Sequence, residues 1–214
     1  MISVSEAFSV LESLSFSLKT KELSLLEAHN HVLAETCYSP INMPPFRQAT
    51  MDGFALALYD ELHYEIVGEI KAGDFYEGSL KPRQAVKIFT GAAVPDSAQA
   101  VIPIEKVTVN DTKLSVHERM KPEAQIRPLG AQIRKDALAL EKGTFLNPAA
   151  IGFLTGLGFA KVSVFKKPSV GIVVTGNELV SAGENLAEGK IYESNAIMLQ
   201  TAILSRNFDT IKLY

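Results

Sequence analysis

The segment Ala100-Val-Ile-Pro-Ile-Glu-Lys-Val-Thr-Val-Asn-Asp-Thr-Lys-Leu-Ser-Val-His117 decides the fold class of the central part of the chain. Two short runs of strand-favouring residues, Val107–Val109 and Lys113–His117, flank the turn-forming pair Asn110-Asp111. Runs of this kind on both sides of a two-residue turn are typical of a β-hairpin. The segment therefore predicts a hairpin inside a β-rich region.

The same texture extends over residues 54–125. Glycine, proline and aspartate residues separate further strand-like runs, which are Tyr64–Ile70, Ala85–Phe89 and Ala100–Ile104. Several short strands with frequent turns are typical of a small barrel or sandwich. The sequence therefore predicts a β-rich, barrel-like domain in the middle of the chain.

Helices are predicted on the N-terminal side of this region. Ser3-Val-Ser-Glu6 and Ser24-Leu-Leu-Glu27 both have the pattern of a capping box, in which the side chains of the first and fourth residues satisfy backbone N–H groups. The first helix should present an apolar face over residues 3–19, and the second should run to about Leu33. The prolines that follow predict a loop over residues 39–48.

A third helix and a strand are predicted after the β-rich region. Asn147-Pro148 supplies an N-cap and a proline at the first helical position, and Gly158 supplies the end of the helix. Lys161–Phe165 has the alternation of a strand, and Lys166-Lys167-Pro168 is a plausible hinge.

The last part of the chain has the pattern of a parallel α/β fold. Val170-Gly-Ile-Val-Val174 is an uninterrupted apolar run, which is typical of a buried parallel strand. A helix over 195–206 and a strand over 210–214 complete a β-loop-α-β crossover. We expect four residues of that helix to face inward, namely Ile197, Met198, Ala202 and Ile203.

Composition and charge exclude several classes of protein. The 214 residues are 47% hydrophobic and 21% charged, so the chain can bury a core. A net charge of −3 argues against a general nucleic-acid binder. Cys37 is the single cysteine, which excludes an internal disulfide and a cysteine-rich zinc site and fits a reducing compartment. We expect Cys37 to be a small buried side chain.

The sequence predicts neither a signal peptide nor a membrane span. The start, Met1–Phe8, lacks a basic and then apolar leader. The longest nearly apolar run, Ala149–Ala160, has 12 residues, whereas a spanning helix needs about 20. We therefore expect a cytoplasmic protein.

Two further features have ordinary explanations. His29 and His31 lie two apart on the predicted helix and would point to different sides, so we expect surface or partly packed histidines rather than a metal site. The segment Lys106–Lys135 holds seven basic residues against three acidic ones. This excess is either a solvated face or a surface that attracts an anionic ligand.

Three segments nevertheless combine residues that suit ligand binding, although the common catalytic motifs (GxxxxGK[ST], GxGxxG, GxSxG, HExxH, CxxC) are absent. In Pro44–Ala55, a proline-stiffened loop delivers Asp52, whose carboxylate can bind a metal, accept a proton or simply cap an Asp-Gly turn. In Ala85–Pro95, a strand ends in Thr90-Gly91. This pair either presents a hydroxyl beside a backbone that a ligand can approach closely, or is only the point where the chain leaves the strand.

The third segment is Ile172–Leu179, followed by Gly189–Asn195. Ligands of open α/β sheets bind beyond the carboxyl ends of the strands. Ser194 or Asn195 would cap the next helix, whose N-terminus favours anions such as phosphate. The residues predicted at this strand end are Thr175, Gly176, Asn177 and Glu178.

Taken in order, these segments resemble one family. PPF followed by ATMDGFA, then VKIFTGAAVP, then TGNEL, then GKIYESN is similar to the motif series of the molybdopterin molybdenumtransferases, the MoeA/gephyrin family. Further matches are Ala100–Glu105 and Ala149–Gly158, so the resemblance covers nearly the whole chain.

The resemblance implies a multi-domain α/β fold. An extended α+β dimerisation domain would comprise residues 1–40 and 126–166. A β-rich, barrel-like domain, residues 41–125, would be inserted into it. The start of a parallel-sheet α/β molybdopterin-binding domain would follow at 168–214.

The resemblance also implies an activity. Family members insert molybdate into adenylylated molybdopterin with Mg²⁺ and release AMP, and they form homodimers. The implied partners are the adenylylated substrate and the upstream adenylyltransferase, with neither nucleic acid nor membrane involved.

The site residues are carried over where the motifs match. Asp52, Thr90 and Glu178 fall on functional positions of the family, and the residue types of Asp52 and Glu178 suit Mg²⁺. Ser194 and Asn195 match the family's SN pair. The remaining candidates for holding the anionic substrates are Thr175, Gly176, Asn177 and the basic residues Arg127, Arg134 and Lys135.

The sequence departs from the family in two respects. Gln132 stands where the family usually has a functional aspartate, and an amide cannot act as a base and binds a divalent cation more weakly; Asn177 for aspartate is a milder change. The chain also ends after the second strand of the predicted α/β domain, without the later glycine- and serine-rich loop or the C-terminal barrel. We therefore expect about half of a longer enzyme, with residues 168–214 poorly stable by themselves.

Two other interpretations stay open. The first is a non-catalytic dimerisation or scaffold module of the same family, inactive because it is truncated and carries Gln132. The second is a generic nucleotide-binding phosphotransferase. Only the candidate site at the strand end supports this interpretation, and the absence of a phosphate-loop motif argues against it.

Overall fold

A computed structural model describes residues 2–15, 17–208 and 211–214. The chain divides into two compact units, Cys37–Ala139 on one side and Met1–Thr36 with Leu140–Tyr214 on the other. The three-part domain division expected from the family resemblance stays a prediction.

The described residues form four α-helices and sixteen strands, which follow one another along the chain. Their bounds are α1 Val4–Ser13, β1 Thr20–Ser24, α2 Leu25–Ala28, β2 Cys37–Tyr38, β3 Gln48–Ala49, β4 Gly53–Leu56, β5 His63–Ile70, β6 Gln84–Ile88, β7 Ala100–Pro103, β8 Val107–Asn110, β9 Lys113–Val116, β10 Ile126–Arg127, β11 Leu138–Leu140, α3 Pro148–Gly156, β12 Lys161–Phe165, β13 Val170–Ile172, β14 Leu179–Val180, β15 Ile191–Tyr192, α4 Asn195–Leu204 and β16 Ile211–Leu213.

A mixed six-stranded sheet in the order β7-β4-β6-β5-β9-β8 forms the centre of the unit Cys37–Ala139. The predicted hairpin is confirmed: β8 and β9 pair antiparallel across a turn in which Asp111 has a φ of 53°. The strands predicted from Tyr64, Ala85 and Ala100 are confirmed to within a few residues as β5, β6 and β7.

One central strand, β4, was not predicted. It lies between β6 and β7, antiparallel to both, and all four of its residues are buried. Its sequence, Gly-Phe-Ala-Leu, is short and begins with the glycine of an Asp-Gly pair, so the local pattern resembles a turn. Its strand conformation depends on its two neighbours, which a local reading of sequence does not contain.

Apolar residues cover both faces of this sheet. One cluster includes Ala55, Val86, Ile88 and Val101, and the other is built around Phe54 with residues of β6, β7 and β9. Within the described residues, β7 and β8 each have one neighbour in the sheet. The sheet is thus curled but open, and the expected barrel is not closed.

In the other unit, β1 pairs antiparallel with β12, with Thr20 opposite Phe165 and Ser24 opposite Lys161. The third helix is confirmed as α3, where the side chain of Asn147 accepts from Ala150 N–H and Gly158 adopts a φ of 90°.

The second helix is shorter than predicted. Its capping box forms, but α2 ends at Ala28 rather than near Leu33, because Asn30 turns into the left-handed region with a φ of 61°. The sequence predicts both His29 and His31 on this helix, but in the structure they lie after its end, and His31 is buried. Cys37 is buried, as predicted.

The first helix also begins at its predicted capping box, formed by Ser3 and Glu6, but it ends at Ser13 rather than continuing to 19. None of its residues is buried. Its apolar side chains, including Phe8 and Leu11, lie at the surface of the chain.

The α/β pattern of the last segment is confirmed in outline. β13 pairs parallel with β16, and α4 lies between them in the chain. Thr210, the start of the predicted last strand, lies outside the described residues, as does Asp209. Ala196 is the buried residue of α4 and Ile203 is half-buried, whereas Ile197, Met198 and Ala202 are exposed. The prediction that these last three face a core is therefore wrong. A pair of three-residue strands is too narrow to cover the helix.

Over the described part of the chain, no helix has the length and apolarity required to span a membrane.

We expect Gly53→Ala to destabilise the protein by about 2–3 kcal/mol, in the range of overpacked cores. A Cβ at Gly53 would lie 1.9 Å from the carbonyl oxygen of Ile102 on β7, so β4 would have to move. Urea unfolding measures the change. Gly152→Ala in α3 is the matched control, because its Cβ would meet open space and alanine favours a helix. Equal stability of the two variants would contradict the close approach.

Candidate functional site

Asp52 and Thr90 meet at one end of the six-stranded sheet. Asp52 precedes β4 and Thr90 follows β6, and the antiparallel pairing of Gly53 with Ile88 brings the two ends together. Asp52 Oδ1 accepts hydrogen bonds from Thr90 N–H at 2.7 Å and from Thr90 Oγ1–H at 2.6 Å. The structure thus brings together two residues that the sequence placed in separate candidate segments.

The backbone around Asp52 is fixed from both sides. The Asp52 carbonyl accepts from Ile104 N–H at 3.0 Å. Two residues earlier, Thr50 donates its N–H to the carbonyl of Gln125 at 3.1 Å and its hydroxyl to the Gln125 side chain at 2.8 Å. The Asp-Gly pair is therefore the anchored entrance to a central strand rather than an ordinary turn.

The Thr90 hydroxyl and N–H together hold the pKa of Asp52 below its usual range, and partial desolvation opposes them weakly. The carboxylate is exposed and is ionised near neutral pH. Both hydrogen bonds go to Oδ1, so Oδ2 carries neither of them. A fixed, ionised carboxylate of this kind suits a cation or a proton in transfer.

The turn after Thr90 requires glycine. Gly91 has a φ of 87°, a left-handed conformation that glycine adopts without a steric cost. Its N–H donates to the Ala49 carbonyl at 2.9 Å, and Ala49 N–H donates to Ala92 at 3.0 Å. Strand β3 thus fixes the turn on which Thr90 is carried.

Arg127 lies in β10, which pairs with β3 so that Arg127 is opposite Gln48. The Arg127 guanidinium donates to Gln48 Oε1 at 3.4 Å, and Gln48 Nε2 donates to the Gly91 carbonyl at 3.2 Å. Arg127 is thereby connected to the turn beside Thr90. The sequence does not single out Gln48, although its position four residues before Asp52 in the proline-rich loop is a usable signal.

Gln132 and Arg134 belong to a loop tied to the proline-rich segment. Gln132 N–H donates to the Met43 carbonyl at 2.9 Å, and Gly130 N–H donates to Pro44 at 2.9 Å. The side chains of Gln132 and Arg134 are both exposed. Backbone bonds fix this loop, while its polar side chains face solvent.

The predicted strand-end segments converge in the other unit. Thr175–Glu178 follow β13, and the parallel pairing of β14 with β15 brings them beside residues 189–192. Ile191 N–H donates to the Glu178 carbonyl at 2.9 Å, and Lys190 Nζ donates to the Asn177 carbonyl at 2.6 Å. The Glu178 carboxylate folds back over Gly176, where a Cβ would lie 2.8 Å from Glu178 Oε1.

Ser194 occupies the N-cap position of α4, but it makes no side-chain capping bond. The capping bond comes from Glu193, whose Oε1 accepts from Ala196 N–H at 2.9 Å. Asn195 is the first helical residue. Glu193 therefore supplies the cap that the sequence attributed to Ser194 or Asn195.

The residue types allow magnesium but not a cage made by protein alone. Among the described residues, no three His, Cys, Asp or Glu side chains gather as a metal site. Asp52 lies in one unit and Glu178 in the other, and each offers one carboxylate. Magnesium is often held by one or two carboxylates together with substrate phosphates, so each of these carboxylates, within its own unit, is a suitable ligand type.

Two of the seven basic side chains of Lys106–Lys135 have partners within the chain. Lys106 pairs with Glu118 at 2.5 Å, and Arg119 donates to the backbone carbonyl of Asp60 at 2.6 Å. Arg127 and Arg134 both lie at the surface. The charge balance of the whole segment thus says less about a ligand than the position of Arg127 does.

Comparison with known proteins identifies the family to which this chain belongs. The family model described as the MoeA N-terminal region (domain I and II) matches residues 2–158. The chain therefore belongs to the MoeA N-terminal family.

Its curated relatives carry one name. A Haemophilus influenzae protein named molybdopterin molybdenumtransferase is 36% identical over 100% of this chain and 54% of its own length. A Staphylococcus epidermidis protein of the same name is 31% identical over 93% of this chain and 49% of its own length. The chain thus spans about half the length of the curated relatives it matches.

The fold is likewise similar to a solved structure. The crystal structure of a molybdopterin biosynthesis MoeA protein from Pyrococcus horikoshii superposes with a TM-score of 0.86 at 30% identity. The match covers 99% of this chain and 56% of that one.

We expect Thr90→Val to raise the pKa of Asp52 toward its ordinary value, because one of the two bonds to Oδ1 is lost, whereas Thr90→Ser should keep it lowered. The stability that this pair contributes is present above the ordinary pKa of an aspartate, about 3.9. It is lost as the pH falls through the lower pKa of the folded state. Carboxyl-carbon NMR titration of Asp52 measures the shift. The same pKa in both variants would show that the hydroxyl bond is not formed in solution.

Proposed function

We propose that the chain acts in molybdenum cofactor biosynthesis, in the insertion of molybdate into adenylylated molybdopterin with release of AMP. The observation that carries the proposal is the Asp52 carboxylate, fixed by two Thr90 hydrogen bonds at one end of a rigid sheet in a chain of the MoeA N-terminal family. We place this reaction in the cytoplasm, with the upstream adenylyltransferase as the source of the substrate.

The chemistry of the substrates suits the residues that the fold presents. Molybdate and a pyrophosphate-linked dithiolene are anions. In one unit Arg127, Arg134 and Lys135 offer positive charge, and Arg127 lies beside the Thr90 turn. In the other, the hydroxyls of Thr175 and Ser194 and the backbone of Gly176 and Asn195 suit phosphate or oxyanion.

Asp52 in one unit and Glu178 in the other are each the residue that would hold Mg²⁺ in that unit. When bound, the ion supplies neutralisation of phosphate charge and polarisation of the scissile bond. The chain's own contribution is positional: Thr90 holds Asp52 Oδ1, and the carbonyl of Glu178 is tied to Ile191. Catalysis of this kind depends on carboxylates that keep their places.

A second candidate is a non-catalytic scaffold or dimerisation module of the same family. It is favoured by Gln132, an amide at a position where the family motif has an acid. The generic phosphotransferase has no further support.

We expect Asp52→Ala and Glu178→Ala each to lower molybdate-dependent AMP release by about 10²-fold or more, the low end of a catalytic acid–base effect. The assay supplies adenylylated molybdopterin, molybdate and Mg²⁺ to the purified chain. Glu184→Ala, at an exposed acid between β14 and β15, is the matched control and should leave the rate unchanged. Unchanged turnover in both site variants would refute the site assignment, and no AMP release by the parent chain would favour the module.

We also propose that the chain forms homodimers. Helix α1 has ten residues, and isolated helices shorter than about 12–15 residues are marginal in water. Its Phe8 and Leu11 are each 60% exposed, and Val4 lies on the same face. A second copy of the chain would cover this face.

We expect sedimentation to give twice the 23.3 kDa monomer mass for the parent chain and a monomer for Phe8→Ser with Leu11→Ser. The substitutions remove the apolar contact while leaving the capping box of α1 intact. Leu26→Ser is the control, since Leu26 is 85% exposed on α2. A compact monomer for the parent chain would contradict the dimer.

A further inference from the structure

We infer that Gln48 is a positioning residue of the site, whose side-chain amide links the Arg127 guanidinium to the turn that holds Thr90 against Asp52. The inference rests on the proposed function and adds to it how the Arg127 guanidinium is connected to the turn that carries Thr90, the residue that holds the Asp52 carboxylate.

The two hydrogen bonds of Gln48 have complementary polarity. Oε1 accepts from Arg127 at 3.4 Å, and Nε2 donates to the Gly91 carbonyl at 3.2 Å. A guanidinium can only donate and a carbonyl can only accept, so the orientation of the amide is fixed by its partners. A side chain with a donor and an acceptor at one end is required to join them.

The backbone of β3 holds the same neighbours independently of this amide. Ala49 exchanges two hydrogen bonds with the turn, accepting from Gly91 N–H at 2.9 Å and donating to the Ala92 carbonyl at 3.0 Å. On the other side, β3 pairs with β10, with Gln48 opposite Arg127 and Ala49 opposite Ile126. The side-chain amide can therefore be removed while the strand keeps its place.

What the amide adds is control over two reactive groups. Thr90 immediately precedes Gly91, whose left-handed backbone has no Cβ to restrict it, so a bond to the Gly91 carbonyl limits the orientation of the turn. Arg127 has five N–H donors and gives one of them to Gln48. The remaining donors stay free for an anionic oxygen, on a guanidinium that Gln48 connects to the turn after Thr90.

The test compares Gln48→Met with Gln84→Met in the full chain. Methionine keeps the length of the side chain and loses both hydrogen bonds. Gln84 is equally half-buried, lies at the opposite end of β6 and accepts one bond from Lys81 N–H at 2.9 Å, so it reports the cost of losing an amide that is remote from the site. Gln48→Glu is the third variant, because it keeps an acceptor for Arg127 and loses the donor to Gly91.

We expect the Thr90 amide to exchange about tenfold faster in Gln48→Met and Gln48→Glu, the factor that loss of one ordinary net hydrogen bond gives. The KM for molybdate in AMP release should rise about tenfold in Gln48→Met and less in Gln48→Glu, where Arg127 stays held. Gln84→Met should match the parent in both measurements, and the thermal midpoints of Gln48→Met and Gln84→Met should agree.

Each outcome decides the inference. An unchanged Thr90 exchange rate in Gln48→Met, or an equal change in Gln84→Met, overturns the link to the turn. Faster exchange with an unchanged KM overturns the positioning role. If the parent chain releases no AMP, the proposed function fails, and the exchange rates together with molybdate affinity from calorimetry still decide whether Gln48 couples Arg127 to Thr90.

Discussion

The close approach of two backbones at Gly53 is the constraint on which the central unit depends. Strand β4 passes so near the carbonyl of Ile102 that no side chain fits between them. This contact lets β4 lie in the middle of the sheet with every residue buried, and it sets where the chain enters that strand. Asp52 is the residue at that entrance, so packing of the sheet fixes the position of the carboxylate. The motif Met-Asp-Gly is therefore one physical unit, in which glycine permits the strand and the strand positions the acid.

The sequence predicted the elements whose determinants are local. Capping boxes, the hairpin turn and the Asn147 cap all lie within a few residues of the backbone groups they satisfy, and they appear where expected. The end of α2 was misjudged because Asn30 turns the chain in a way that its apolar neighbours did not indicate. The face of α4 was misjudged because inward and outward have meaning only relative to a layer that packs on the helix.

The candidate site shows the same division between local and distant causes. Asp52 and Thr90 stood out by motif, yet their hydrogen bonds follow from the antiparallel pairing of β4 with β6. Gln48 has no distinctive pattern, because its importance arises from a strand on one side and a turn on the other. Residues that hold functional residues are harder to recognise in a sequence than the functional residues themselves, since their partners are remote in the chain.

The pairing of β1 with β12 has a consequence for the order in which the protein is made. Thr20 pairs with Phe165, which is synthesised about 145 residues later. At a translation rate of roughly 5–20 residues per second, β1 waits on the order of ten seconds for its partner strand. All six strands of the central sheet, β4 to β9, are synthesised within that interval. Strand β1 therefore has no partner strand until the sequence of the central unit is complete.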